Sequence, residues 1–321
     1  MATFVVSGAT LATLAALVAD STDQLGRRLG PTKTGILQSA LGNLPELFIS
    51  IFALRAGLVS VVQAALVGSI LANSLLILGL AFFVGGLRHG TQRFATDTPR
   101  LIGAVMFVSV AALAIPTLAS SLSTPAAAHE EALGVIVAVV LLTVFVGSLV
   151  ASLQGALPAV QREPGGRPGW SLPLTIAVLG ATAGGAALVA DWFVGALQPA
   201  ASALGISEAF TGLVIVALAG NAVENVVGIQ LAARNDVDTA LSVILNSSVQ
   251  IALGLIPALV LLSFVIGGAH LTLVLAPLLV AALALTAILT VVVVFDGESN
   301  WVEGMALMGL YVIIAAAFWW G

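Results

Sequence analysis

The spacing of apolar residues predicts ten long membrane-crossing helices. A helix needs roughly 20 predominantly apolar residues to cross the hydrocarbon layer. Because the apolar runs are continuous and do not alternate with polar residues, an outer-membrane β-barrel is excluded. The first run lacks a basic leader and a small-residue cleavage site, so we expect it to remain in the mature protein. The ten runs lie near residues 4–26, 32–56, 60–86, 98–119, 132–153, 172–196, 206–232, 237–266, 270–295 and 300–320.

Composition agrees with this pattern and narrows the class of protein. Of 321 residues, 60% are apolar and 8% are charged, whereas a soluble domain has about 25% charged residues. A soluble enzyme and a disordered chain are therefore excluded. Ten scattered Lys and Arg residues do not form the basic patch of a nucleic-acid-binding protein. The absence of cysteine from the sequence excludes disulfides and thiolate metal sites.

The cations predict the orientation. With the N-terminus outside, the outer connections contain only Arg55. Since cytoplasmic loops are enriched in Lys and Arg, this orientation is favoured, and both termini are expected to be extracytoplasmic. The inner connections contain Arg27, Arg28, Lys33, Arg88, Arg93, Arg100, Arg162, Arg167 and Arg234. Near the ends of predicted spans, as expected of an interfacial belt, lie Trp170, Trp192, Trp301, Trp319 and Trp320.

A Pro- and Gly-rich connection divides the chain into two similar halves. We expect an N-terminal five-helix repeat at 1–155, a cytoplasmic linker at 156–170 and a C-terminal five-helix repeat at 171–321. From Gly42 the first half reads GNLPELFISIFALRAG, and from Gly220 the second half reads GNAVENVVGIQLAARN. Because five is an odd number, the second copy enters from the opposite side. Inverted repeats with motifs in corresponding spans are typical of secondary transporters.

Glu46 and Glu224 are the only acidic residues well inside predicted spans, and they are 178 positions apart in the two copies. A carboxylate in hydrocarbon is costly and indicates a functional site. Burial also favours the protonated form of a carboxyl group. A structural alternative is a protonated glutamate that only bonds a neighbouring helix. Two glutamates at equivalent repeat positions favour a site where a metal ion and protons compete, as in an antiporter.

The polar neighbours of the glutamates are neutral oxygen donors. Such a set suits a hard divalent cation, Ca²⁺ better than Mg²⁺, which resists dehydration. Each of these side chains, taken singly, is equally compatible with a hydrogen bond that joins two membrane helices. Gly42 and Gly220 weaken their helices and free backbone carbonyls. The side-chain candidates are Asn43, Asn221, Ser69, Ser247 and Gln250, with Asn73 and Ser248 as secondary candidates.

At these residues the chain resembles the Ca²⁺/H⁺ antiporter (cation/proton exchanger) family of the calcium/cation antiporter superfamily. GNLPELFISIFALRAGLVSVVQAALVGSILANSLLILGL is similar to its first signature, and GNAVEN followed by NSSVQIALGLIP to its second. ADSTDQLGRRLGPT, before the first motif, also resembles family sequence. The chain differs at Asn225, where the family usually has histidine, at Asn246-Ser247, where it has Gly-Ser, and in a linker without an acidic helix.

The resemblance implies two inverted five-helix repeats, alternating access and export of cytosolic Ca²⁺ in exchange for H⁺. Glu46 and Glu224 would bind metal and protons. The supporting oxygens would come from Asn43, Asn221, Ser69, Ser247 and Gln250, with main-chain carbonyls around Gly42 and Gly220; Asn225 is a further secondary candidate.

Other readings stay open. The same fold could exchange Na⁺ for Ca²⁺, or carry Mn²⁺, although Asn43 and Asn221 favour the proton-coupled branch. An intramembrane enzyme would need HExxH, GxSxG, a cysteine or a mid-span histidine, none of which the sequence contains. A passive channel is a further alternative. Asp20 and Asp23 lie at the end of the first span. Either Asp23 forms an i,i+4 ion pair with Arg27, or the two aspartates attract cations at a cytoplasmic mouth.

These observations predict a multi-pass protein of a prokaryotic plasma membrane. Ca²⁺ and H⁺ are expected as cargo, the lipid bilayer as surroundings, and neither a resident cofactor nor a nucleic-acid partner is expected. Homo-oligomer formation stays open.

Overall fold

The structure, a computed structural model, describes residues 1–29, 41–154 and 169–320 and, within these, leaves out the side chains of residues 29, 153, 223 and 224. Part of the predicted second span and most of the predicted linker lie outside the described residues. The described chain is almost entirely helical, with one short pair of strands.

The first half begins with a long N-terminal helix. A short helix that carries the Glu46 motif, called the first motif helix, comes next and is followed by three further helical segments. The elements of this half are α1 Ala2–Leu29, α2 Leu44–Arg55, α3 Val59–Leu71, a π-helical segment Ala72–Ile77, α4 Leu78–His89, β1 Gln92–Arg93, α5 Asp97–Ser121, a 3-10 turn Pro125–His129 and α6 Glu130–Leu153.

The second half repeats this order. Its elements are α7 Leu172–Leu204, α8 Glu208–Phe210, a π-helical segment Thr211–Val216, α9 Ala217–Gly220, α10 Ala222–Ala233, α11 Val237–Gln250, a π-helical segment Ile251–Leu255, α12 Ile256–Ser263, α13 Pro277–Val293, β2 Glu298–Ser299 and α14 Trp301–Trp319.

Among the described residues, seven helices are long and apolar enough to cross a membrane, or eight if one bent pair counts as a single span. The bent pair is Glu208–Gly220 with Asn225–Ala233, at an angle of 64°. A shorter apolar helix, Pro277–Val293, lies near the predicted ninth span. The predicted multi-pass architecture is therefore confirmed, whereas the count of ten helices is not.

Two predicted spans differ from the observed helices. The span expected at 172–196 continues to Leu204, so Trp192 lies within the helix and not at its end. The span expected at 270–295 begins at Pro277, because residues 264–276 form an irregular connection with left-handed glycines at Gly267 and Gly268. Hydropathy identifies both segments as apolar, but it does not predict the residues at which their helices begin and end.

Burial separates central from peripheral helices. In the most apolar 18-residue stretch, 78% of residues are buried in Val59–His89 and 72% in Val237–Ser263. The corresponding fraction is 22% for Pro125–Ser152 and Leu172–Leu204. The two polar-bearing segments after the motif helices therefore form the centre of the molecule, and the more uniformly apolar helices surround them.

The two halves share unusual backbone features at a constant separation of 178 residues. Gly57 and Asn235 both have left-handed backbones, with φ of 77° and 64°. Gly90 and Gly268 form a second such pair, with φ of 73° and 102°. The π-helical segments Ala72–Ile77 and Ile251–Leu255 also occupy equivalent positions. The sequence repeat is thus a repeat of backbone geometry as well.

Glycines bring the halves into close contact. At Gly212 an added Cβ would lie 2.5 Å from the Val61 carbonyl oxygen, and at Gly68 it would overlap the Leu213 backbone. Helix α3 of the first half therefore packs backbone to backbone against the segment that precedes the second motif. Farther along, β1 pairs antiparallel with β2, Gln92 opposite Ser299 and Arg93 opposite Glu298.

Candidate cation-binding site

Each motif glutamate lies in the first turn of a short helix that follows a break. Asn43 precedes the Glu46 helix (α2, Leu44–Arg55) with φ −91° and ψ 18°, and Asn221 precedes the Glu224 helix (α10, Ala222–Ala233) with φ −93° and ψ 12°. The first N–H groups of a helix lack intrahelical partners, and its N-terminus carries positive partial charge. Both breaks therefore present an environment that favours an anionic carboxylate.

The sequence explains both breaks locally. Pro45 lies in the first turn of the Glu46 helix, where its missing N–H costs no hydrogen bond. The second half has Gly220 at the end of α9, and glycine is a weak helix former. The predicted weakening of the helix at Gly220 is observed as the 64° bend.

Glu46 reaches from the first half to the break of the second. Its side chain is buried, with 6% exposed. A Cβ added at Gly220 would lie 2.7 Å from Cγ of Glu46 and 2.8 Å from its Cδ and Oε1. The carboxyl group therefore rests against the backbone of Gly220. The side chain of Glu224 is outside the described residues, and the structure places only its backbone, one turn into the opposing helix.

The asparagine before Glu224 also crosses between halves. Nδ2 of Asn221 donates to Oγ of Ser69 at 2.9 Å and to the carbonyl of Ala217 at 3.1 Å. Asn221 and Ser69 are both about 2% exposed. These bonds orient the amide group, and so set the direction of Oδ1.

Three amide oxygens near the motifs, Oδ1 of Asn43, Asn221 and Asn225, are buried and accept no hydrogen bond within the part of the chain that the structure describes. Buried polar atoms in proteins are normally satisfied, so each needs an explanation. Amide oxygens are ligands of hard cations such as Ca²⁺. Together with the carboxyl group of Glu46, these oxygens supply donor chemistry that fits a cation site.

The central helices also bond to each other across the two halves. Nδ2 of Asn73 donates to Oγ of Ser247 at 3.0 Å, and the hydroxyls of Ser74 and Ser248 lie 3.1 Å apart. Ser74 and Ser248 are completely buried. Asn73 and Ser248, secondary candidates from the sequence, therefore join helices across the halves, which is the other role that serine and asparagine have in membranes.

The remaining predicted residues fall into two groups. Gly42 and Gln250 are partly buried near the motifs. Asp20 is exposed, and Asp23 forms the i,i+4 ion pair with Arg27, at 2.8 Å. Asp20 is therefore not part of the buried polar cluster, and Asp23 has a partner on its own helix.

Sequence inspection missed Ser74 and Gln92. Ser74 directly follows Asn73, and the run NSL in a span was a usable signal for a second polar contact. Gln92 lies in a short connection between predicted spans, where a glutamine carries no periodic signal. Its role depends on a contact 140 residues away.

A family model described as sodium/calcium exchanger protein matches residues 1–154 and 174–320. The chain belongs to this family. The predicted membership among Ca²⁺/H⁺ antiporter-like proteins is confirmed by its relatives as well as by the family model.

Two curated relatives are similar over nearly their whole length. The Ca²⁺/H⁺ antiporter ChaA of Bacillus subtilis is 34% identical over 322 residues, covering 98% of this chain and 91% of the relative. A Ca²⁺/H⁺ antiporter of Synechocystis sp. is 32% identical over 343 residues, covering 98% and 90%. The solved structure of native YfkE superposes with a TM-score of 0.84 at 30% identity, covering 98% of this chain and 91% of that one. The chain is thus a multi-pass membrane protein of an antiporter family.

Proposed function

We propose that this protein is a secondary active antiporter that exports cytosolic Ca²⁺ in exchange for H⁺. The observation that carries the proposal is the contact of Glu46 with Gly220. This contact brings a carboxyl group of one half to the helix break of the other half. Relatives named Ca²⁺/H⁺ antiporters at 32% and 34% identity support the choice of ions. They favour H⁺ over Na⁺ as the coupling ion.

Glu46 and Glu224 together form the metal and proton site in this proposal. The amide oxygens of Asn43, Asn221 and Asn225 are the supporting ligands, because each is buried and without a hydrogen-bond partner within the described residues. Two close carboxylates repel each other when no cation is bound, and a proton on one of them relieves this repulsion. Ca²⁺ and H⁺ therefore compete for one site, so that release of one accompanies uptake of the other.

The architecture proposed for this cycle is ten helices in two inverted repeats that alternate access between the two sides. The equivalent left-handed residues at Gly57 and Asn235 and at Gly90 and Gly268 support the repeat. Inversion follows from five spans in each half, divided at the linker 156–170. Both termini are then extracytoplasmic, since nine of the ten cations of the sequence face the cytoplasm in that orientation.

The proposal is tested by radioactive-calcium uptake into proteoliposomes under an imposed pH gradient. We expect uptake by the parent protein and its loss in Glu46→Gln and in Glu224→Gln. Removing one charge of a buried ion site costs about 3 kcal/mol, which corresponds to about a hundredfold. Glu130→Gln makes the same chemical change at an exposed carboxylate of α6 and is the matched control.

Each outcome has a defined meaning. Uptake driven by a Na⁺ gradient and not by a pH gradient would refute proton coupling. No uptake under either gradient would refute Ca²⁺ as the cargo. Full activity of Glu46→Gln or Glu224→Gln would refute the proposed carboxylate site.

A further inference from the structure

The far ends of the two motif helices are held by opposite halves of the chain. At the end of the Glu46 helix, the carbonyl of Leu54 accepts the N–H of Ala269, from the second half, at 3.1 Å. At the end of the Glu224 helix, the carbonyl of Ala232 accepts a hydrogen bond of 3.1 Å from Nε2 of Gln92, which belongs to the first half. Leu54 and Ala232 are equivalent positions, 178 residues apart.

The same turn follows both carbonyls. Gly57 donates to Leu54 and Leu58 to Ala53, and in the second half Asn235 donates to Ala232 and Asp236 to Leu231. The left-handed residue is Gly57 in one copy and Asn235 in the other. Only the asparagine has a side chain, and its Oδ1 accepts a second bond from Nε2 of Gln92 at 2.8 Å.

Gln92 is held in this position by its surroundings. It is 3% exposed, although it lies in the connection between α4 and α5. Its backbone is held opposite Ser299 in the strand pair. Beneath it, Gly85 leaves the room that its side chain needs, because a Cβ at residue 85 would overlap the side-chain oxygen of Gln92.

The contact has a clear physical effect on the Glu224 helix. The last carbonyls of a helix lack intrahelical donors, and an unsatisfied buried carbonyl is costly. The carbonyl of Ala232 accepts the N–H of Asn235 in the turn and Nε2 of Gln92 as a second donor, and Nε2 of exposed His89 lies 3.1 Å from the carbonyl of Ala233. Ala232 lies eight residues beyond Glu224 in one continuous helix, about 12 Å at 1.5 Å per residue. A helix of 12 residues is marginally stable by itself, so loss of a contact that holds its last turn weakens its hydrogen bonds as far as the turn of Glu224.

We propose that Gln92 is a positioning residue for the cation site: it anchors the far end of the helix whose first turn carries Glu224. The inference rests on the proposed function for its consequence in transport, but the anchoring itself is independent of the ion carried. The equivalent anchor of the Glu46 helix is made by a main-chain N–H, so side-chain substitution can release one motif helix and leave the other held.

The test compares Gln92→Met with Gln63→Met. Methionine keeps the length of the side chain and removes the donor. Gln63 is the matched control, because its Nε2 also ties a connection, through the carbonyls of Thr272 at 2.9 Å and Val274 at 3.1 Å, without touching the Glu224 helix. Asn235→Gly is a second variant, which removes only the acceptor and installs the residue present at the equivalent Gly57.

The first readout is hydrogen exchange of the protein in nanodiscs. We expect faster exchange of amides at residues 222–236 in Gln92→Met and, to a smaller extent, in Asn235→Gly, with no change there in Gln63→Met. The second readout is calcium transport, with an apparent KM about tenfold higher in Gln92→Met, the effect of losing two modest hydrogen bonds, and a maximal rate within about twofold of the parent.

Unchanged exchange at residues 222–226 in Gln92→Met and in Asn235→Gly would overturn the inference. So would a lower maximal rate with unchanged apparent KM, since that would place Gln92 in a step other than positioning of the site. If Gln92→Met exchanges faster throughout the protein, the milder Asn235→Gly decides. Absence of calcium transport by the parent protein would refute the proposed function instead, while the exchange readout would still decide the anchoring.

Discussion

The Glu46 helix and the Glu224 helix have nearly the same backbone and different side-chain partners. Their N-cap asparagines differ by only a few degrees in φ and ψ, and the turns at their far ends carry the same hydrogen bonds. Ser69 accepts from Asn221, whereas Ser247, the equivalent of Ser69, accepts from Asn73. The repeat therefore preserves the helix break, whereas the hydrogen-bond partners of equivalent residues differ between the two copies.

The largest effect expected from this comparison is at the contact between the two breaks. Gly220→Ala would place a Cβ 2.8 Å from Oε1 of Glu46, so the carboxyl group must move. Since displacement of a reacting group by about 1 Å can cost about a hundredfold in rate, we expect Ca²⁺ uptake to fall by one to two orders of magnitude. Flux of folded protein in proteoliposomes measures this.

Gly195→Ala in α7 is the control, because a Cβ there has nothing within 4 Å. Full transport by Gly220→Ala would show that the contact of Glu46 with Gly220 is not needed for the transport cycle.

A smaller effect is expected at the bond between Asn221 and Ser69. Asn221→Ala removes this bond and a buried amide oxygen, and we expect an apparent KM for Ca²⁺ about tenfold higher, since a buried polar loss costs about 1–2 kcal/mol. Ser69→Ala should cost less, and a double-mutant cycle should give a coupling free energy of about 1 kcal/mol. A coupling near zero would mean that Asn221 acts independently of Ser69. Asn43→Ala extends the comparison to the first half.

The Ser74–Ser248 pair is expected to affect stability and not ion binding. Ser74→Ala or Ser248→Ala leaves one buried hydroxyl without this bond, and we expect the free energy of unfolding to fall by about 1 kcal/mol. The double substitution should cost less than the sum of the two, because it leaves no hydroxyl of the pair behind. Unfolding in detergent measures this. A selective rise in the KM for Ca²⁺ in Ser248→Ala would instead make Ser248 a ligand.

The smallest effect is expected at the end of α1. Asp23 pairs with Arg27 on the same helix, and partly exposed pairs of this kind contribute about 0.5 kcal/mol or less. Asp23→Asn and Asp20→Asn should each change the apparent KM for Ca²⁺ by less than about twofold. Uptake measured at low and high ionic strength tests this, because a cation-attracting mouth would give a larger effect at low salt that vanishes at high salt.

Much of the architecture was predictable because it follows from strong local signals. The runs of about 20 apolar residues indicated the membrane helices, and the shared G-N-x-x-E pattern placed Asn43, Glu46, Asn221 and Glu224 at equivalent positions. The ion pair of Asp23 with Arg27 was also predictable, since residues four apart meet on a helix. The helix ends were not, as the extension of α7 to Leu204 illustrates.

The polar partners could not be read from the sequence. Ser69, Asn73 and Ser248 were each compatible with ion binding or with helix association. Only the packing of the π-helical segment Ala72–Ile77 against α11 assigns Asn73 and Ser248 hydrogen bonds between helices. Gln92 carried no signal at all, because its environment is created by Gly85, Ala232 and Asn235. These contacts exist only after the two halves meet.

The sequence by itself determined the membrane class, the duplication and the pair of glutamates, because hydropathy and local motif chemistry need no information about distant residues. The tertiary structure decided that Glu46 rests on Gly220, that Asn221 bonds Ser69 and that Gln92 holds the Glu224 helix. Each of these contacts joins residues more than 130 positions apart. Their formation depends on how glycines such as Gly68 and Gly212 let the two halves approach, and that is a property of packing.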